Sequence, residues 1–242
     1  MVYSDEIILN NYRRILEQIG KAAQSVGRSS NDVMLVAVSK KQPIDALVCA
    51  ARHGIIVFGE NYAEEVPPKQ AALQGYPGIQ WHMIGHIQSR KVKIVAETID
   101  FVHSVDSLEL ALKLEHNLQE RGRKLPVLLE MNVSSEGTKG GWAAWTENLW
   151  DKFLPDIEVI LGCSHLQLCG LMTMPPLFEN PEATRPFFIR LAKLRDFLAR
   201  KYSDGNWSHL SMGTSLDFEV AIQEGATMVR IGQAIFGPRP SR

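Results

Sequence analysis

The chain has 242 residues, is 45% hydrophobic and 22% charged, and carries a formal net charge of −1. Folding at this length buries roughly 70–75% of the unfolded surface, so one large domain or two small ones can stand without staples. Near-neutral charge disfavours nucleic acid or an anionic membrane as the main partner, and no apolar run reaches the roughly 20 residues of a membrane helix.

The start, Met1-Val-Tyr-Ser-Asp-Glu6, has no basic segment ahead of an apolar core, so no secretory leader is expected. Residues 5–26 place Ile7, Ile8, Tyr12, Ile15, Leu16 and Ile19 at helical spacing, with Ser4 as a candidate cap. The Val-rich run 33–38 reads as a strand buried on both faces. Pro43 suits the first turn of a helix that runs to about His53, with Gly54 just past its end. The alternation then repeats: strand 55–58 and a helix from about Tyr62, strand 79–83 and helix 87–97, strand 101–103 and a helix from Asp106 or Ser107 to about Arg121. Strand 126–133 precedes a stretch, 142–154, whose Trp142, Trp145, Leu149 and Phe153 recur every three or four residues and predict a helix. Strand 165–172, helix 181–202, strand 207–210, helix 216–224, strand 227–230 and a short helix after Gly232 complete the series.

Strands alternating with helices imply a parallel sheet. Eight of them in about 240 residues predict a single (β/α)₈ barrel (a TIM barrel) with an extra N-terminal helix, and an open doubly wound sheet is the competing arrangement. Cys49, Cys163 and Cys169 cannot all pair and read as reduced thiols of a cytoplasmic protein; Cys163-Ser-His165 is too sparse for a metal site, and no metal is expected.

Chemistry in such a barrel gathers at the carboxyl ends of its strands. Those ends carry Lys40, Glu60-Asn61, Gly85-His86, Ser104, Asn132, Met172-Thr173, Ser211-Met-Gly-Thr-Ser215 and Arg230-Ile-Gly-Gln233. A lysine at the rim of the core can lose its charge and act as a nucleophile. The last two turns follow the seventh and eighth strands, where barrels often hold phosphate; Ser211, Thr214 and Ser215 offer hydroxyls, and Gly213 and Gly232 let backbone N–H groups approach an anion. An amine nucleophile beside a phosphate cradle is what pyridoxal phosphate requires. Plainer readings stand beside these: Lys40 and Lys41 as solvated loop lysines, Arg230 as a structural ion-pair partner, His82 as a core histidine, the aromatics at 142–153 as helix packing. Glu60 reads equally as a supporting carboxylate or a general base.

Taken together, Val36-Ala-Val-Ser-Lys40, Phe58-Gly-Glu-Asn-Tyr62, Trp81-His-Met-Ile-Gly85 with Gln88, Gly170-Leu-Met172, Ser211-Met-Gly213 and Val229-Arg-Ile-Gly232 with Ala234-Ile-Phe-Gly237 resemble the pyridoxal phosphate homeostasis proteins, from about residue 5 to 237. These are barrels similar to the N-terminal domain of alanine racemase. The resemblance implies one pyridoxal phosphate-binding domain over 1–242, with Lys40 holding the cofactor as an internal aldimine and Arg230 facing the pyridine nitrogen. It implies that Ser211, Thr214, Ser215, Gly232 and Gln233 line the phosphate and that Asn61 lies near the ring. It also implies a carrier and regulator of vitamin B6 and amino-acid balance without established turnover; an open, exchangeable lysine linkage further predicts delivery of the cofactor to dependent apoenzymes. A monomer is expected.

Three departures bear on phosphate geometry: Thr214-Ser215 where the family usually has Met-Ser, Gln233 where it often has Thr or Ser, and His86 and Arg90 around Gln88. An arginine beside the ring nitrogen opposes its protonation and limits its strength as an electron sink. Racemases with that arrangement add a tyrosine base from a second domain of the partner subunit; this chain ends soon after its last strand, so such a domain is not expected. An enzyme reading remains, either a weak racemase or a Schiff-base aldolase acting on a sugar phosphate, as does an interaction protein signalling by ligand occupancy. The nearly all-apolar strand interiors disfavour the aldolase. Lys41 reads as a solvated charge or as a second amine for transimination.

Overall fold

Short β-branched runs bounded by Gly and polar turns can bury both faces in a parallel sheet, and the computed structural model, which describes residues 5–136 and 140–238, arranges them so. Eight strands pair in parallel around a closed ring: β1 (Met34–Val38), β2 (Val57–Glu60), β3 (Gln80–Met83), β4 (Phe101–Val105), β5 (Leu125–Asn132), β7 (Leu166–Met172), β8 (His209–Ser211) and β9 (Met228–Ile231). The β4–β5 pairing, Val102 opposite Val127 and Val105 opposite Leu129, closes the ring and excludes the open sheet. Met34 to Ala37 of β1 pair with Met228 to Ile231 of β9, so Gly232 leaves the barrel against Val38, two residues before Lys40.

The helices α2 (Ile44–Arg52), α3 (Val66–Ala72), α4 (Val92–Thr98), α5 (Leu108–Gln119), α6 (Leu154–Leu161), α7 (Arg185–Lys201), α8 (Phe218–Gln223) and α9 (Gln233–Phe236) surround the strands. The extra helix α1 (Asp5–Gln24) buries Ile8, Ile15, Ile19, Ala22 and Ala23 against α2, α8 and α9, and Asn11 donates to the Ile235 carbonyl at 3.1 Å. Its expected cap, Ser4, lies outside the described residues. One apolar cluster fills the space between strands and helices; a smaller one, Phe101, Leu128, Cys169, Met172 and Met228 with Met34, draws on β1, β4, β5, β7 and β9 and so plugs the barrel interior.

The segment 142–154 is not the predicted helix. Trp142–Ala143 forms a two-residue strand, β6, paired with Met131 and Asn132 of β5; Glu147–Phe153 winds as 3₁₀ turns, and α6 begins at Leu154. Pro155 explains the late start: lacking an N–H, it belongs in a first helical turn. The three-residue aromatic spacing matches the 3₁₀ period as well as the α period, with Trp150 donating to the Ala144 carbonyl at 3.3 Å.

Candidate functional site

All eight barrel strands point one way, so their last residues share one rim. There a cleft of about 300 Å³ is lined by Lys40 and Val38 at the end of β1, Asn61 after β2, Thr214 and Ser215 after β8, and Arg230, Gly232 and Gln233 from β9 onward; Ile84, Met174, Leu177 and Leu216 supply an apolar wall. Seven of the eight residues expected to form the site thus meet in one hollow. Larger hollows of about 420 and 450 Å³ flank α1, but neither contains Lys40 or Arg230.

Ser211, the eighth, is placed differently. Its side chain is fully buried at the end of β8, where the hydroxyl accepts from Arg230 Nη1 and meets His103 Nδ1 at 2.8 Å. His103 Nε2 lies 2.9 Å from His82 Nδ1. A guanidinium only donates, so Arg230 donates to Ser211 Oγ, and the line continues through His103 to His82 with its direction set by the tautomers of the two imidazoles. Arg230 Nη2 also donates to the Thr173 carbonyl at 2.8 Å and meets Met174 Sδ at 2.9 Å. Burial pushes His82 down to about 3 and His103 well below the ordinary range, so both imidazoles are neutral near pH 7. Burial also lowers Arg230 to about 10, opposed by Asp217 and Glu130, and leaves it charged at neutral pH. Arg230 is therefore a fixed cation presented to the cleft, and Ser211 is its inner anchor. The plain core reading of His82 describes its burial, though its hydrogen bond to His103 links it through Ser211 to Arg230.

The turn after β8 is braced from within. Thr214 gives both its N–H and its hydroxyl to Asp217 Oδ1, at 2.7 and 3.0 Å. Gly213 takes φ +92°, and a Cβ there would stand 2.6 Å from Ala221 Cβ and 2.9 Å from Phe218 Cα, so the turn packs on α8 only because the side chain is missing. Asp217, which the sequence reading did not single out, thus shapes the turn; its signal was the spacing Thr214-Ser-Leu-Asp217, a cap pattern.

On the opposite side, Asn61 reaches the cleft because Gly85 leaves room: a Cβ on Gly85 would lie 2.7 Å from Asn61 Cα and 2.8 Å from its carbonyl oxygen. Asn61 Oδ1 is buried and has no hydrogen-bond partner among the described residues. Glu60 takes the supporting role rather than that of a base in the cleft: its Oε1 accepts from Ser39 Oγ at 2.7 Å and from Lys69 Nζ at 2.7 Å, behind the strand end that carries Lys40. Burial, partly offset by Lys69 and Ser39, raises Glu60 to about 7. Lys41 turns away from the cleft and stands 5.6 Å from the ring centre of Tyr62. Among the described residues no cluster of His, Cys, Asp or Glu could hold a metal ion, and no helix is long and apolar enough to cross a membrane.

An amine, a buried guanidinium, a hydroxyl-bearing turn and a glycine turn on one barrel rim define an alanine-racemase-type binding barrel, and residues 11–240 match the family model of the alanine racemase N-terminal domain. The chain belongs to the pyridoxal phosphate homeostasis protein family: it is 42% identical over 226 residues to the pyridoxal phosphate homeostasis protein of Aquifex aeolicus, covering 93% of this chain and 96% of that one. Among solved structures, PipY of Synechococcus elongatus with pyridoxal phosphate bound superposes with a TM-score of 0.78 at 31% identity, covering 92% of this chain and all of the other. An alanine racemase of Clostridium difficile shares the fold at a TM-score of 0.63 and 17% identity, over 93% of this chain and 57% of its own.

Proposed function

We propose that the chain binds pyridoxal phosphate in this cleft, covalently through Lys40, and serves as an intracellular carrier that delivers the cofactor to apoenzymes rather than turning over a substrate. The observation that carries the reading is the meeting of Lys40 and Arg230 with the Thr214-Ser215 and Gly232-Gln233 turns in one hollow of about 300 Å³. The donor set fits the group: an amine for the aldehyde, a cation for the ring nitrogen, and short hydroxyls and backbone for the phosphate. Asn61 Oδ1, buried without a partner, offers an acceptor to a ring substituent. The relatives' names and the bound cofactor in PipY support the same reading.

When bound, the cofactor supplies an aldehyde and an electron-withdrawing ring. Lys40 would hold it as an imine, with loss of water. Arg230, tied to Ser211 and the Thr173 carbonyl, keeps a positive charge where the ring nitrogen would lie and opposes its protonation. Such a ring stabilises a carbanion poorly, which suits storage better than racemisation. Cys49, Cys163 and Cys169 are free thiols, in keeping with a cytoplasmic setting.

The test is the absorption spectrum of protein loaded with pyridoxal phosphate, before and after borohydride, with mass mapping of the labelled peptide. A yellow protein labelled at Lys40, and unlabelled in Lys40→Ala, supports the reading. A colourless protein, or label of unchanged yield at another residue in Lys40→Ala, overturns it. Transfer to an apoenzyme faster than release into buffer supports delivery, and equal rates defeat it.

A further inference from the structure

We infer that Lys69 is the positioning residue for Lys40, an assignment that rests on the proposed role of Lys40 as the amine of the site. Lys69 lies in the short helix α3 and is only 5% exposed. Lysine is rarely buried so fully unless several acceptors surround it. Here its ammonium donates to the Ser39 carbonyl at 2.9 Å, to Glu60 Oε1 at 2.7 Å and to Glu65 Oε2 at 2.7 Å.

What these acceptors share is one residue. The Ser39 carbonyl belongs to the peptide unit that immediately precedes Lys40. Glu60 Oε1 also accepts from Ser39 Oγ, at 2.7 Å. Glu65 Oε2 accepts from the Lys41 N–H, at 2.8 Å, immediately after Lys40. A single buried cation therefore ties down the backbone on both sides of the candidate nucleophile, once directly and once through a carboxylate.

The chain needs that hold. Lys41 takes φ +58°, a left-handed conformation that residues with a side chain adopt only when their surroundings over-determine it. This turn is what lets β1 stop at Val38 and present Lys40 sideways into the cleft while the Lys41 side chain passes to Tyr62. Glu60 at the end of β2 and Glu65 just before α3 come from a different barrel unit, so the first two strand ends are locked as one piece.

The bond at stake forms when the Lys40 amine adds to the aldehyde carbon and water leaves. Its equilibrium depends on where the amine stands, whereas the phosphate and ring can still bind without it. Pyridoxine phosphate, which carries an alcohol in place of the aldehyde, separates the two. We would compare wild type with Lys69→Met and with Glu65→Gln, the second removing only the charge of a half-buried carboxyl. Affinity for pyridoxine phosphate should stay within about twofold, while borohydride-trapped adduct at Lys40 with pyridoxal phosphate should fall by about 10- to 100-fold in Lys69→Met, as expected for a displaced reacting group. Glu65→Gln should show the same split at smaller size, and carries the test if Lys69→Met does not fold. Adduct at wild-type level in the folded variants, or an equal loss for both compounds, overturns the assignment. Wild type that takes no label at Lys40 overturns the reading of the site itself, and does so before any variant is made.

Discussion

Replacing Ser211 by alanine separates an anion ligand from an internal anchor. The hydroxyl sits between Arg230 Nη1 and His103 Nδ1, with no exposed surface. Ser211→Ala would leave a buried guanidinium N–H and a buried imidazole nitrogen without partners. Each orphaned group costs about 1–3 kcal/mol, so the loss should be roughly 2–6 kcal/mol. In a domain of this size each kcal/mol moves Tm by about 2–4 °C, and a drop near 10 °C is expected in thermal unfolding. The phosphate's own share of binding is read as the ratio of affinities for pyridoxine phosphate and pyridoxine. Because the Ser211 hydroxyl is spent inside the barrel, that ratio should stay within about twofold of wild type. A hydroxyl bonded to phosphate would be worth about 1.5–3 kcal/mol, or roughly 10- to 100-fold in the ratio. A Tm that hardly moves, together with a ratio that collapses, would refute the placement of Ser211 as an anchor.

Gly85→Ala would drive a methyl group to 2.7 Å from Asn61 Cα, a backbone atom that cannot swing aside; a loss of about 1–3 kcal/mol is expected, with weaker pyridoxine phosphate binding as Asn61 leaves the cleft, and wild-type values of both in unfolding and calorimetric titrations would contradict this. His82 is held down to about 3 from an ordinary 6.5, so the unfolded chain takes its proton first as pH falls. The stability this histidine contributes is complete above pH 6.5 and is lost as pH drops toward 3, by up to about 5 kcal/mol at 1.36 kcal/mol per pH unit. Chemical unfolding across that range should show a steeper decline in wild type than in His82→Gln; parallel curves would show that His82 is not neutral in the fold. Glu60 works in the opposite sense, since burial raises it from 4.5 to about 7. Its share of stability is greatest below pH 4.5 and is lost as pH rises toward 7, and a Glu60→Gln protein that keeps the same slope over that interval would disprove it.

Much of this architecture could be read from periodicity. The Val-rich run at 33–38 and the strand at 227–230 announce themselves because buried parallel strands are continuous in apolar residues, and their ends named Lys40 and Arg230 in advance. The segment after residue 140 could not be read, because a recurrence of three or four residues is shared by α and 3₁₀ windings and the deciding residue is Pro155. Ser211 was legible as a strand end but not in its direction: the last residue of a strand faces either rim or interior according to a register that sequence does not carry. Thr214 lines the cleft as its strand-end position suggests, while Asp217 three residues on signals a local cap that shares its hydroxyl. Lys69 carries no sequence signal beyond Glu65 four residues earlier, the spacing of any surface pair; only the closing of the barrel brings it to the Ser39 carbonyl.

The hydrogen-bonded line from Arg230 through Ser211 and His103 to His82 has an electrostatic consequence. Its titrating ends lie far apart, with His82 gaining a proton only near pH 3 and Arg230 losing one only near pH 10. Between those limits Arg230, Ser211, His103 and His82 together carry one unchanging positive charge. A tenant resting there meets no change of charge from these four groups, so any drift in its hold across that span originates in the tenant, in the tethering amine or in the carboxyls of Glu60 and Glu130, which burial shifts upward.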